Sequence, residues 1–199
     1  MSKSSIFHSN IKLVKKQAII IEFIKLALIN HKLIKMKKIF FTLAFLTFVF
    51  LKAQEDQQTF QDLKQLEGKW TGTLNLSNGE SKPINLEYSI RSNGSALLEE
   101  SNEGGIEMMS IINFHKGKIL STHYCGAKNR PVAELKSSNN GVVKLVTNHK
   151  RSGLDVNNES FVGSWEFNLM PNDESKFIYK YTSIGPYSFI ATAEMNRVK

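Results

Sequence analysis

The chain has 199 residues, a formal net charge of +8 and a single cysteine. The charge is local: residues 1–53 hold 10 Lys and 1 Glu, leaving 16 of the 26 basic and 17 of the 18 acidic side chains for 54–199. A near-neutral domain has no broad field to hold a phosphate backbone, which argues against nucleic acid as a partner. One cysteine excludes an intrachain disulfide.

The basic leader has its own reading. Met36-Lys37-Lys38 precedes IFFTLAFLTFVFL, an uncharged run from Ile39 to Leu51, and Lys52-Ala53-Gln54 follows. A charged start, an apolar run and a small residue before a polar stretch describe a signal peptide over 36–53, cleaved after Ala53. The run is shorter than a membrane span, so no stable span is expected after cleavage. No Cys follows it, which argues against a lipid anchor. Residues 1–35 lie upstream of an already complete signal, and 23 of the 35 are Ile, Lys, Leu, Asn or Phe. They read as an over-extended upstream segment, with Met36 as the true start. The other reading is an amphipathic surface helix over Ile11–Ile34. The expected mature protein is one domain, 54–199, exported to the periplasm or secreted.

Gln57–Leu66 places Phe60, Leu63 and Leu66 three apart, the pattern of a short amphipathic helix. The period then changes to two. Strands are expected at Lys69–Leu76, Ile84–Arg91, Ala96–Ser101, Ile106–Phe114, Lys118–Cys125, Val132–Ser137, Val142–Asn148, Val162–Met170, Lys176–Ser183 and Ser188–Val198. The turns between them (SNGE, RSNG, NEGG, HKGK, SSNNG, PNDES, IGPY) are rich in Asn, Gly, Pro or Ser. One longer connection covers 149–160. Ten short strands with sequential turns favour an all-β, single antiparallel up-and-down barrel with a short N-terminal helix.

Two features carry a resemblance. Gly68-Lys69-Trp70 opens the first strand directly after the helical turn, and Arg197 stands in the last strand. This resembles the opening motif of lipocalins and related calycin barrels. The resemblance implies that Trp70 closes the barrel floor and that Arg197 lies across it as a cation–π pair. MSIINFHKGKILSTHYCGAKNRP is similar to the central hairpin of a bacterial lipocalin-like group with a His-x-Asp-Gly turn, Thr-His-Tyr-Cys and Asn-Gln-Pro. His115, Gly117, Thr122, His123, Tyr124, Cys125, Asn129 and Pro131 match; Lys116, Lys118 and Arg130 depart. That group has no established activity, so the resemblance implies a barrel and no reaction.

A tight HKGK turn sets Phe114 opposite Ile119, Ile112 opposite Ser121, Ser110 opposite His123 and Met108 opposite Cys125. Alternation then puts Ile106, Met108, Ser110, Ile112, Phe114, Ile119, His123 and Cys125 on one face. That face carries no formal charge and is the expected interior wall. His123 and Cys125 sit two apart on one strand, which is wide for a nucleophile–base pair, and that face offers no orienting acid. His-x-Cys supplies two ligands where zinc needs three or four, so no metal is expected. One inward His would suffice for haem, which stays open as a minor alternative to having no cofactor. A purely structural role is the bland alternative, since buried Cys and His are often only satisfied interior groups.

The reading that follows is an exported, non-catalytic barrel binding a small apolar or amphiphilic molecule. Its expected ligand-binding residues are His123, Cys125, Ser110, Met108 and, at the rim, Arg130. Trp165 and Tyr179 are expected in the wall, and Tyr187 at an entrance. The alternatives are a hydrolase or isomerase using His123 and Cys125, or an interaction domain with a filled core.

Overall fold

The computed structural model describes residues 54–170 and 172–199, together with Phe40. The leader assigned to 36–53 and the upstream 1–35 otherwise lie outside the described residues. Helix α1 covers 54–64. Ten strands follow: β1 Gly68–Leu76, β2 Ser81–Arg91, β3 Ala96–Glu103, β4 Ile106–His115, β5 Lys118–Tyr124, β6 Val132–Asn139, β7 Val142–Thr147, β8 Phe161–Leu169, β9 Lys176–Ile184 and β10 Phe189–Arg197. Each pairs antiparallel with its neighbours, and β1 pairs with β10, so the sheet closes into an up-and-down barrel. The expected strands are all present, with ends displaced by a few residues. The long connection after β7 contains one helical turn, α2 His149–Ser152.

Closure follows from the period-two pattern. In β9 the inward set is Phe177, Tyr179, Tyr181 and Ser183. In β2 it is Ile84, Leu86 and Tyr88. Each strand buries one such face, and a closed sheet leaves no unpaired edge. Three hairpins turn through two residues of positive φ: Gly104–Gly105, Lys116–Gly117 and Asn140–Gly141. Such turns match the right-handed strand twist and fix register. Ladder irregularities between Leu135 and Ser137 and between Val162 and Ser164 bend β6 and β8 around the barrel.

The two ends differ. At one, α1 buries Phe60 and Leu63, and the turn after it buries Leu66. Phe60 stacks on Phe114 with ring centroids 6.1 Å apart, and Trp70 meets Phe177 edge-on at 4.8 Å. Trp70 Nε1 donates to the Leu66 carbonyl at 2.6 Å, tying the floor to the turn after α1. Arg197 lies over the Trp70 ring at 4.2 Å. Its guanidinium donates to the carbonyls of Gln65, Glu67 and Glu174 at 2.8, 2.6 and 3.0 Å. Gly68 adopts φ +121°, and a Cβ there would come within 2.9 Å of Arg197 Nη1. The Gly-x-Trp spacing thus makes room for the guanidinium beneath the indole. No helix among the described residues fills the other end.

Candidate functional site

The interior cavity at that second end has a volume of about 190 Å³. Its walls include Phe161, Trp165, Tyr179, Tyr181 and Phe189, with His123, Cys125 and Met108 from the central hairpin. Glu103 and Lys82 also line it, and Tyr187, itself 77% exposed, stands at its mouth. A larger depression of about 670 Å³ lies outside the barrel over β1 to β5. It is bordered by Lys69, Glu87, Glu100 and Glu107 and is open to solvent, so the interior space is the better binding candidate.

His123 is placed by the hairpin. Ser110 pairs with His123 in the β4–β5 ladder, as Phe114 does with Ile119. The ladder ends at Met109–Tyr124; Met108 and Cys125 both reach the cavity, but beyond the last paired residues. His123 N–H donates to the Pro131 carbonyl at 2.9 Å, and Cys125 N–H to the Asn129 carbonyl at 3.1 Å. Asn129 Nδ2 donates to the Ser160 carbonyl at 2.9 Å, binding this turn to the entry of β8. The Asn-x-Pro part of the motif therefore holds the backbone around His123.

The side chain of His123 belongs to a buried chain of hydrogen bonds. Tyr88 O–H donates to Glu99 Oε2 at 2.5 Å, and Ser110 O–H donates to Glu99 Oε1 at 2.9 Å. Ser110 Oγ lies 2.9 Å from His123 Nδ1. Glu99 is 1% exposed, Ser110 2% and His123 3%. Because Ser110 has one proton and gives it to the carboxylate, its oxygen accepts from His123 Nδ1–H. Burial lowers the His123 pKa to about 4, so the ring is neutral at ordinary pH. Nε2 then carries a lone pair, and it is buried without a protein hydrogen-bond partner. Trp165 meets the imidazole edge-on at 5.3 Å.

Burial also pushes the Glu99 carboxyl upward, opposed by the two hydroxyl donors. Tyr88 and Tyr179 are held above the usual phenol range, first by burial and then by the Glu99 charge. Nearer the mouth, Tyr181 O–H donates to Glu103 Oε2 at 2.8 Å, and Lys82 Nζ lies 3.3 Å from the same oxygen. Burial, ahead of all other causes, raises the Tyr181 phenol and the Cys125 thiol. A thiol held in its neutral form is a poor nucleophile.

His123, Cys125 and Met108 thus share the cavity wall. Ser110 stands behind His123 and orients it. Arg130 is exposed and does not line the cavity. The orienting acid absent from the β4–β5 face is supplied by the neighbouring strand as Glu99. The signal for it was local: a two-residue Gly104–Gly105 turn pairs Glu103 with Ile106 and so Glu99 with Ser110. The doublets Leu97-Leu98 and Glu99-Glu100 hid the phase, because either alternation takes one Leu and one Glu from them. Tyr88, Tyr181 and Lys82 gave no such signal.

Among the described residues, no group of three or more His, Cys, Asp or Glu is placed to hold a metal ion. Nor is any helix among them long and apolar enough to cross a membrane. A cavity of about 190 Å³ falls below the roughly 300–1,000 Å³ of pockets for drug-sized ligands.

No family model and no curated protein matches the chain. Solved structures do. The chain is similar to a redesigned β-barrel, b11L5F_LGL, at 12% identity over 68% of this chain and 94% of that one, with a TM-score of 0.35. It is similar to a protein of unknown function from the DUF3598 family of Nostoc punctiforme, at 11% identity and TM-score 0.41. That match covers 68% of this chain and 48% of the other. A third likeness is to the redesigned β-barrel mFAP1, whose structure has DFHBI bound, at 12% identity, 67% and 96% coverage and TM-score 0.35.

Proposed function

We propose that this protein is an exported, lipocalin-like barrel that binds a small, mainly apolar molecule in the cavity beside His123. The observation that carries the reading is His123, which lines the cavity and whose Nε2 is buried with no protein partner. A buried polar atom left unpaired costs about 1–3 kcal/mol, a cost that a bound molecule would remove. The surrounding wall is apolar and aromatic with few polar groups, the usual composition of a small-molecule site. Toluene is a suitable probe, since an apolar cavity of about 150 Å³ can take up benzene. Saturable chemical-shift changes at the Trp165 indole and the β9 amides are expected on titration with it. Absence of any saturable change would sink the reading.

Export rests on the leader at 36–53 and the near-neutral remainder. N-terminal sequencing of the protein from its native source is expected to begin at Gln54. A start upstream of Met36 would contradict both the export reading and the reassigned start.

The Glu99–Ser110–His123 chain favours one second reading. A neutral His oriented by an acid through a hydroxyl has the arrangement of a general base, although burial lowers its pKa to about 4 and makes it a weak one. Exchange of α-deuterium in a small ketone, present in the wild type and lost in a folded His123→Ala variant, would establish it. Cys125→Ala is expected to leave that exchange unchanged, because its thiol is held neutral.

A further inference from the structure

Resting on the binding reading above, we infer that the cavity selects a neutral, single-ring aromatic molecule bearing one hydroxyl, a phenol, whose O–H donates to His123 Nε2. Three observations converge on this class. The first is size. A space of about 190 Å³ accommodates one six-membered ring and a substituent, given that about 150 Å³ suffices for benzene. The second is shape of the wall. Phe161, Trp165, Tyr179, Tyr181 and Phe189 present ring faces and edges around the space, and aromatic rings pair favourably with one another edge-to-face or offset.

The third is hydrogen-bond polarity. With Glu99 ionised and accepting from Tyr88 and Ser110, the Ser110 oxygen is left to accept from His123 Nδ1–H, the tautomer this proposal takes. The remaining ring nitrogen, Nε2, is an acceptor without a partner. It complements an O–H donor. It repels the oxygen of an ether and the charge of a carboxylate. Charge at the site points the same way. Two buried carboxylates, Glu99 and Glu103, stand near the space, and the one lining cation, Lys82, already faces Glu103 at 3.3 Å. An anion would therefore enter against the local potential with no free counter-charge among the lining residues.

The test compares phenol, toluene and benzoate, which share the ring, by chemical-shift titration of the full domain. Phenol is expected to bind roughly tenfold more tightly than toluene, the factor of one net hydrogen bond. Benzoate is expected to produce no saturable shift. In His123→Leu, toluene binding should persist and the phenol advantage should vanish. Ser110→Ala provides a second variant, in which the tautomer is no longer held and the advantage should shrink. The wild type gives a readout that needs no variant: long-range proton–nitrogen spectra of His123 should show Nε2 unprotonated, with its resonance moving on phenol addition. Phenol no tighter than toluene, benzoate binding, or a protonated Nε2 would each overturn the phenol assignment while leaving the binding reading in place. Failure of both toluene and phenol to bind would overturn both.

Discussion

His123 and Glu99 set opposite demands on pH, and Ser110 joins them. Burial lowers the His123 pKa to about 4, below the usual value near 6.5. Between those values the unfolded chain holds the proton and the folded one does not. This contribution is complete above pH 6.5 and is lost as pH falls toward 4, where it amounts to about 3 kcal/mol. Glu99 is shifted upward by burial, so its contribution runs the other way, present in acid and lost as pH rises. The two partly cancel in the wild type, and a substitution separates them. The stability difference between wild type and His123→Leu, from urea unfolding, should move by about 3 kcal/mol against the wild type as pH is lowered from 7 to 4. A difference independent of pH would show that His123 is solvated or paired in the folded state.

Arg197 makes a different kind of claim at the same scale. Its planar fork reaches three carbonyls and lies on an indole. Arg197→Ala should cost about 3 kcal/mol, combining charged hydrogen bonds with the ring contact. Arg197→Lys should restore little, because a point charge cannot serve three separated acceptors. Thermal and urea unfolding of both variants check this; full rescue by Lys would show that charge alone suffices.

At the scale of elements, the hairpins decide which faces look inward. Lys116 occupies φ +49° in the β4–β5 turn, a left-handed position that favours Asn or Asp. Lys116→Asn should raise stability by about 0.5 kcal/mol without altering the site, read from the urea midpoint at constant slope. Loss of stability would mean that the Lys side chain makes a contact that outweighs its backbone strain. The β5–β6 ladder is the shortest, pairing only Leu120–Glu134, Ser121–Ala133 and Thr122–Val132. It adjoins the turn 125–131 at the cavity mouth. Its amides should exchange with solvent before those of β8–β9, whose ladder runs from Phe161–Ile184 to Leu169–Phe177. Uniform protection around the barrel would show that this seam opens no more readily than the rest.

For the whole molecule, one end of the barrel is packed and tied while the other retains space. Helix α1, Trp70 and Arg197 consolidate the first. The second keeps a cavity because large rings from β8 and β9 meet small or polar side chains from β3 and β5. The ordered strands, their alternation, the closing helix and the Gly-x-Trp with its distant Arg were legible along the chain. So was the shared face of Ser110 and His123. These are local properties: alternation, tight turns and helical spacing each involve residues a few positions apart. Tertiary closure decided the rest. It placed Glu99 behind Ser110, and it brought Tyr181 to Glu103 across 78 positions of sequence. The cavity volume was not legible at all, because it is the small remainder left after every inward side chain has packed. The chain by itself determined a barrel wall carrying His123. Only the closed barrel showed that the space His123 lines is about 190 Å³ and that its Nε2 is left without a protein partner.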